Sequence, residues 1–392
     1  MRCLIDKSPV EPFHIFPRKA VFNKPVDKVL PQAVAEMSIA YNPVTRHISS
    51  ALNAAFDVAD LQRKVYEDLY CGYAPTELSA TQKSYMGFVV QWINDHVPAR
   101  SRVLEIGSHD GFLLHWLKQS GHDVQGIEPS SHAGHARDAY GVPVIRGFFK
   151  GDEFEPGSFD LLVMRHVVEH VDDPVAFLQA GARLLKPGGL AYIEVPNSLW
   201  CLEEFFFPEF HVDHVSYFTP ASLDRLMNLA SLSDIRHKEA YSAYMRFPFQ
   251  CALGRKDAKP AGRPAPPGAY FSDFNAPRAI ERFGKVHARY ETNLCALEKR
   301  GSIAVWGTGS IGHQYAIDAG WPTDAVTYVD VNPANQGKVL SVTGHRIESP
   351  EILKRVKPDI LLIASGWEGD VREQARPFVS DRTQVLVFRD LI

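Results

Sequence analysis

One stretch, residues 102–130, constrains the fold more than any other: RVLEIGSHDGFLLHWLKQSGHDVQGIEPS. Residues 103–106 are a short apolar run of the kind that makes a parallel strand buried on both faces. Gly107 to Gly111 breaks the run, and residues 112–118 resume it with helical spacing. Residues 123–127 supply a second strand, which ends on Glu128. Strand, glycine loop, helix, strand and acid make half of a nucleotide-binding α/β unit.

The loop chemistry narrows the ligand. A dinucleotide site uses GxGxxG so that backbone amides can wrap a pyrophosphate. Here the spacing is GxxxG, and Glu105 and Asp110 set two carboxylates beside the loop. A diphosphate is repelled there, whereas a ligand with a sulfonium and an ammonium is attracted. Glu128 can accept hydrogen bonds from both hydroxyls of a ribose. S-adenosylmethionine combines these features and has no phosphate. Glu105, Gly107, Ser108, Asp110, Gly111 and Glu128 are therefore the expected cofactor contacts.

Later residues extend the same sheet. Residues 142–146 read as a third strand with Phe148 beyond its carboxyl end, where an aromatic ring can stack on adenine. Residues 159–164 form the fourth, with Arg165 and His166 at its tip, and both join the expected cofactor set. Residues 174–185 read as a helix that opens after Asp172-Asp173-Pro174. A turn over 185–189 precedes a fifth strand, 190–195.

Composition excludes several classes. A formal charge of −4 on 392 residues leaves no electrostatic footprint for nucleic acid. No apolar run reaches membrane-spanning length, and no signal-peptide core opens the chain. The five cysteines form no CxxC pair, which fits free thiols in a cytoplasmic protein. The expected partner is a small-molecule substrate, with neither nucleic acid nor membrane; the oligomeric state stays open.

The chain divides into four expected regions. Residues 1–98 are a proline-rich cover segment without a clean period, holding a helix over 57–68 and another over 79–97. Residues 99–255 form the cofactor-binding domain, which includes the aromatic, acidic and histidine-rich stretch 199–219, a helix over 222–229 and two last strands within 235–251. Residues 256–300 are a linker, Pro- and Gly-rich to about 268, followed by a helix over 277–299. Residues 301–392 are a second α/β domain. Its strand 303–306 runs into Gly307-Thr308-Gly309-Ser310-Ile311-Gly312, and strand 326–329 ends on Asp330. Further strands are expected over 360–364 and 385–388. Gly307, Gly309, Ser310 and Gly312 are expected to face substrate and receive a phosphate or other anionic group at the helix start. The same loop read as an NAD fingerprint makes the chain an oxidoreductase.

The glycine loop, FDLLVMRHVVEHVDDP and LLKPGGLAYIEVPN follow one another in the order and at the separation of class I S-adenosylmethionine-dependent methyltransferases. With HVDHVSYFT, VWGTGSIGHQYA and VDVNPANQGKVL added, residues 54–392 resemble the C-methyltransferase family, whose best-known members methylate carbon in nucleotide-linked deoxyketosugars. The resemblance implies an α/β protein: a class I methyltransferase Rossmann-like sheet followed by a second Rossmann-like domain. Family members usually carry an N-terminal zinc module built on CxxC pairs. The segment before Asn53 has no such pairs, so no metal is expected. The family's catalytic block is roughly Tyr-His-Glu-His-x-Ser-Tyr-Phe, and this chain reads His211-Val212-Asp213-His214-Val215-Ser216-Tyr217-Phe218. The resemblance implies C-methylation with His214 as a general base titrating near neutrality. Asp213 and His211 tune or orient it, and Tyr217 donates to a developing oxyanion. O- or N-methylation of a small metabolite and a non-catalytic binding module are the competing readings.

Overall fold

A computed structural model describes residues 1–30, 34–53, 57, 60, 63, 80–240, 249–257, 276–366 and 368–392. Three sheets organise them. Strands β1 (Pro12–Ala20), β2 (Val34–Asn42) and β3 (His47–Asn53) form an antiparallel meander. Asn42 closes the second hairpin, its side-chain oxygen accepting from the amides of Val44 at 2.8 Å and Thr45 at 3.1 Å. The expected cover segment is thus a sheet. Its helix over 57–68 lies outside the described residues apart from 57, 60 and 63, and the second helix runs Ala80–Asn94.

The central sheet is built from β4 (Arg102–Ile106), β5 (Asp123–Glu128), β6 (Val144–Arg146), β7 (Phe159–Arg165) and β8 (Leu185–Pro196). Strand β9 (Ser216–Tyr217) leaves this sheet to pair with β3, and β10 (Leu232–Ala240) and β11 (Phe249–Lys256) return to it. The order is β10-β11-β8-β7-β4-β5-β6, parallel from β8 to β6 and antiparallel across β8, β11 and β10. The apolar runs read from sequence are buried on both faces, as Val103, Leu104, Leu161 and Leu162 show. The expected turn over 185–189 is instead the start of β8, joined to β7 through a register shift between Phe159 and Leu161.

Local chemistry sets the helices. Phe112, Leu113, Leu114 and Leu117 bury one face of helix Phe112–Gln119 against the sheet. Asp173 caps helix Pro174–Arg183 by accepting from the Ala176 amide at 3.2 Å, with Pro174 in the first turn. Thr219 and Ser222 form a capping box on helix Pro220–Leu229.

The third sheet holds β12 (Ile303–Trp306), β13 (Val326–Val329), β14 (Ile347–Glu348), β15 (Ile360–Ile363) and β16 (Gln384–Leu386) in the order β14-β13-β12-β15-β16, all parallel. Of the preceding linker, residues 258–275 lie outside the described residues, and helix Ala276–Ala296 follows. One core joins the meander, the stretch 201–217, this helix and the third sheet: Phe16, Ile39, Phe207, Phe283, Val305 and Tyr328 all belong to it. The chain is a Rossmann-like α/β protein with a mixed central sheet. No helix among the described residues is long and apolar enough to cross a membrane.

Candidate active site

In the central sheet the chain order reverses at β4, with β5 and β6 on one side and β7 and β8 on the other. Ligands of open α/β sheets sit beyond the strand ends at such a point. Gly107 and Gly111 turn the chain there with φ of +75° and +77°. A Cβ on Gly107 would come within 2.4 Å of Val167 Cγ2, and one on Gly111 within 2.5 Å of Ala136 Cβ. Both positions therefore require glycine for conformation and for space. Glu128, buried at the end of β5, accepts from the His109 amide and from the Ser130 amide, each at 2.9 Å. Those bonds fix the carboxylate across the loop and leave lone pairs on both oxygens.

Beneath the loop lies a ladder of charges on adjacent strands. Arg165 Nε is 3.3 Å from Glu194 Oε2, its register partner on β8, and Nη1 is 3.9 Å from Glu105 Oε1 on β4. The Tyr192 hydroxyl donates to Glu194 at 2.6 Å. Against burial, Arg165 and His166 hold Glu194 far below the usual carboxylate range. Burial pushes Glu105 up to about 8; Arg165 opposes this, and the carboxylates of Asp110, Glu194 and Glu128 add to it. Its second oxygen is buried with no hydrogen-bond partner. A cation beside the loop would answer both that orphaned acceptor and the excess of negative charge.

His166 leads out of the ladder. It takes a left-handed φ of +52° after β7, with Nε2 3.0 Å from Glu194 Oε1 and Nδ1 3.4 Å from Glu169 Oε1. Against desolvation of its ring, those two carboxylates push it up to about 9, so it is an imidazolium at neutral pH. Next come the histidines of 199–219. His170 Nδ1 donates to the Asp213 carbonyl at 2.9 Å, and its ring centroid is 4.7 Å from that of His214. Glu209 has one oxygen 3.6 Å from His211 Nε2 and the other 3.7 Å from His214 Nδ1. Against the partial burial of its side chain, His170, His214 and His211 hold Asp213 down at about 2. The meander fixes this loop, since Ser50 Oγ donates to the His214 carbonyl at 2.9 Å and β9 pairs with β3.

Residues 81–237, 40% of the chain, match the family model described as "Methyltransferase domain". Residues 81–237 form a methyltransferase domain. Its cofactor is S-adenosylmethionine, which fits the acidic glycine loop, Glu128 and the unpartnered Glu105 oxygen. The ubiquinone biosynthesis O-methyltransferase of Ralstonia nicotianae is 34% identical over 108 residues, which are 26% of this chain and 45% of that protein. The enzyme of the same name from Burkholderia vietnamiensis is 29% identical over 137 residues, 33% of this chain and 58% of that protein. The chain spans about half the length of the curated relatives it matches. Among solved structures, 1,6-didemethyltoxoflavin-N1-methyltransferase of Burkholderia thailandensis aligns at 15% identity over 55% of this chain and 98% of that chain, with a TM-score of 0.41. A possible histamine N-methyltransferase of Thermotoga maritima aligns at 22% identity over 51% and 96%, with a TM-score of 0.39.

Within the methyltransferase domain the expected cofactor residues fall into three groups. Gly107, Asp110, Gly111 and Glu128 surround the turn, and the Asp110 carboxylate accepts from the Phe112 amide at 3.1 Å. The Ser108 hydroxyl turns under the loop towards Gly126, where a Cβ would lie 2.7 Å from it, and its amide donates to the Ile127 carbonyl at 3.1 Å. Arg165 and His166 join Glu105 in the ladder, while Phe148 stands 44% exposed beyond β6. Two expectations need correcting. The proton of Tyr217 is committed to the His211 carbonyl at 2.7 Å in a buried site, which removes it as a donor to an oxyanion. His214 does not titrate near neutrality: burial, followed by the charge of His170, sets it well below the usual imidazole value.

Sequence reading left Glu194, Glu169, His170 and Glu209 unassigned. Glu194 had a signal, as the one acid inside the apolar run LAYIEVP. In the third sheet the GxGxxG loop follows β12, and Gly307 and Gly312 are packed against Ala364 and the Gly307 carbonyl, while Gly309 opens on free space. Asp330 accepts from Thr308 Oγ1, from the Asn332 amide at 2.9 Å and from Asn335 Nδ2 at 3.1 Å.

Proposed function

We propose that this protein methylates a small molecule, with carbon beside a carbonyl as the acceptor and His214 as the group that takes the acceptor's proton. Bound S-adenosylmethionine supplies a methyl group on a sulfonium, an electrophile that needs alignment more than activation. Glu128 and the Gly107 to Gly111 backbone hold it, and Glu105 and Asp110 offset its positive charge. The observation that carries the reading is the His170–His214 pair, which Glu169 and His166 connect to the charge ladder beneath the glycine loop. His214 is neutral over the physiological range and so has a lone pair for a proton. His170 Nδ1 donates to the Asp213 carbonyl, which fixes its ring beside that of His214.

Glu169, His170 and His214 also offer three donor atoms within 4.8 Å of one another, a spacing that suits a metal ion. The His166 imidazolium 3.4 Å from Glu169 favours a proton network there instead, because it already balances that carboxylate. An oxygen acceptor is the second reading, supported by the O-methyltransferase names of the relatives. The C-terminal glycine loop is proposed to lie on the substrate side and take an anionic group, with Asp330 already engaged by Thr308, Asn332 and Asn335 and so not offered to a dinucleotide ribose. The test is methyl transfer from labelled cofactor together with solvent deuterium exchange at the acceptor. His214→Ala should stop exchange and slow turnover roughly 10²–10⁴-fold with cofactor binding intact. Product labelled on oxygen, without exchange in the wild type, selects the second reading.

A further inference from the structure

A buried lysine lies outside every role assigned so far. Lys19 sits on β1 at 3% exposure, with Nζ 4.8 Å above the Phe16 ring and 3.5 Å from the Phe207 carbonyl oxygen. Removing an ammonium from water costs several kcal/mol unless charge and hydrogen bonds replace the solvent. Burial lowers its pKa to about 8, and Asp318 and Glu209 oppose this through charge at longer range than an ion pair. Asp318 belongs to helix Ser310–Ala319 of the third sheet's layer and accepts from the Tyr290 hydroxyl at 3.0 Å and from Gln314. Gln314 in turn donates to the carbonyl of Arg18, next to Lys19, at 3.1 Å. Glu209 closes the short turn Phe207–Glu209, whose first carbonyl Lys19 holds, and its two oxygens face His211 and His214.

We propose that Lys19 is a positioning residue: from the N-terminal sheet it holds the turn Phe207–Glu209, so that the Glu209 carboxylate stays against His211 and His214. The role rests on His214 being the base. Its structural part stands without that reading, because the imidazoles can be observed without substrate. Gln314, bonded both to Asp318 and to the Arg18 carbonyl, ties the C-terminal α/β layer to the same end of β1. Strand β1 thereby connects three parts of the chain that no local sequence signal joins. The titratable groups facing this cluster are His14 and His287 beside Lys19, and Cys201, Tyr217, His211 and His214 beside Glu209.

The experiment compares wild type, Lys19→Met, Lys19→Arg, Asp318→Asn and Glu209→Gln in the full-length protein. Imidazole ¹⁵N spectra at fixed pH, thermal melting and S-adenosylhomocysteine affinity are read for each, followed by kcat and KM where an acceptor is in hand. Lys19→Met should move the ¹⁵N signals of His211 and His214 in the same direction as Glu209→Gln, with cofactor affinity unchanged. Turnover should fall by up to ~10²-fold at unaltered KM, the scale expected of a small misplacement. Lys19→Arg should return the signals towards wild type. If Lys19→Met does not fold, Asp318→Asn, which loosens the same ammonium, carries the test. Unmoved His211 and His214 signals in whichever of these variants folds overturn the proposal. Moved signals with unchanged turnover uphold the positioning and remove His214 as base instead.

Discussion

Arg165 shows how much a single side chain holds in this site. It compensates Glu194, which is fully buried, and restrains Glu105, whose carboxyl burial has already driven up to about 8. Replacing one member of such a group leaves a charge buried without its partner, which typically costs 3–5 kcal/mol. Arg165→Met should therefore lower unfolding stability by about 3–5 kcal/mol in urea titrations; a loss under about 1 kcal/mol would show that the ladder is solvated. His214 makes a second prediction. A base works in its neutral form, and burial places its pKa well below 6.5, so the acid limb of the kcat/KM profile should lie below that pH. An acid limb centred near 7 would assign the base elsewhere. Residue types were readable where chemistry is local, as in Gly107, Gly111 and Glu128. The commitment of Tyr217 to the His211 carbonyl was not, because motif spacing says nothing of which proton is already bonded.

Elements divide along the same line. Strand β4, its glycine loop, the following helix and β5 are consecutive, so periodicity and turn chemistry expose them. The N-terminal meander is completed by Ser216 and Tyr217, far along the chain, and two-residue strands such as β9 and β14 leave no pattern to read. Several buried imidazoles lie in the elements that join the outer layers. His47 on β3 and His287 on helix Ala276–Ala296 are each pushed down to about 3, and His313 on helix Ser310–Ala319 to about 4, with burial the main cause in all three. Each folded pKa lies below the unfolded value of about 6.5, so the unfolded chain binds more protons as pH falls. Their stabilisation is complete above 6.5 and is lost towards 4 and 3, at about 1.4 kcal/mol per pH unit for each group. Glu105 and Asp318 have the opposite sign: raised to about 8 and about 6, they make acidification favourable between about 8 and 4.5 and between about 6 and 3.8. But His14 and His214, both lowered by burial, act with the three imidazoles. Between pH 7 and 5, hydrogen exchange should accelerate in the meander and the C-terminal helices more than in β4, β5 and β7. Equal acceleration in all three sheets would contradict this.

At the scale of the molecule, one core binds the meander, the stretch that carries the histidines and the C-terminal sheet, while the cofactor loop rests on a separate apolar layer over β4 and β5. This explains why a methyltransferase domain was legible from residues 102–197, and why the shape of the acceptor site was not. The first is contiguous in sequence, its strands and helices following one another; the proposed acceptor site draws on β3, the stretch 199–219 and the tip of β7, which meet only in the folded chain. The central claim, that the acidic glycine loop and Glu128 hold S-adenosylmethionine, is open to one direct measurement. Titrating S-adenosylhomocysteine by calorimetry into wild type, Glu128→Gln and Glu128→Ala reads the site without an acceptor. Losing one charge-assisted hydrogen bond costs roughly 1.5–3 kcal/mol, or about 10- to 100-fold in Kd. Stoichiometric binding by the wild type, weakened by that factor in Glu128→Ala and less in Glu128→Gln, is the expected result. Absent binding in the folded wild type, or the same Kd in all three proteins, would contradict the assignment.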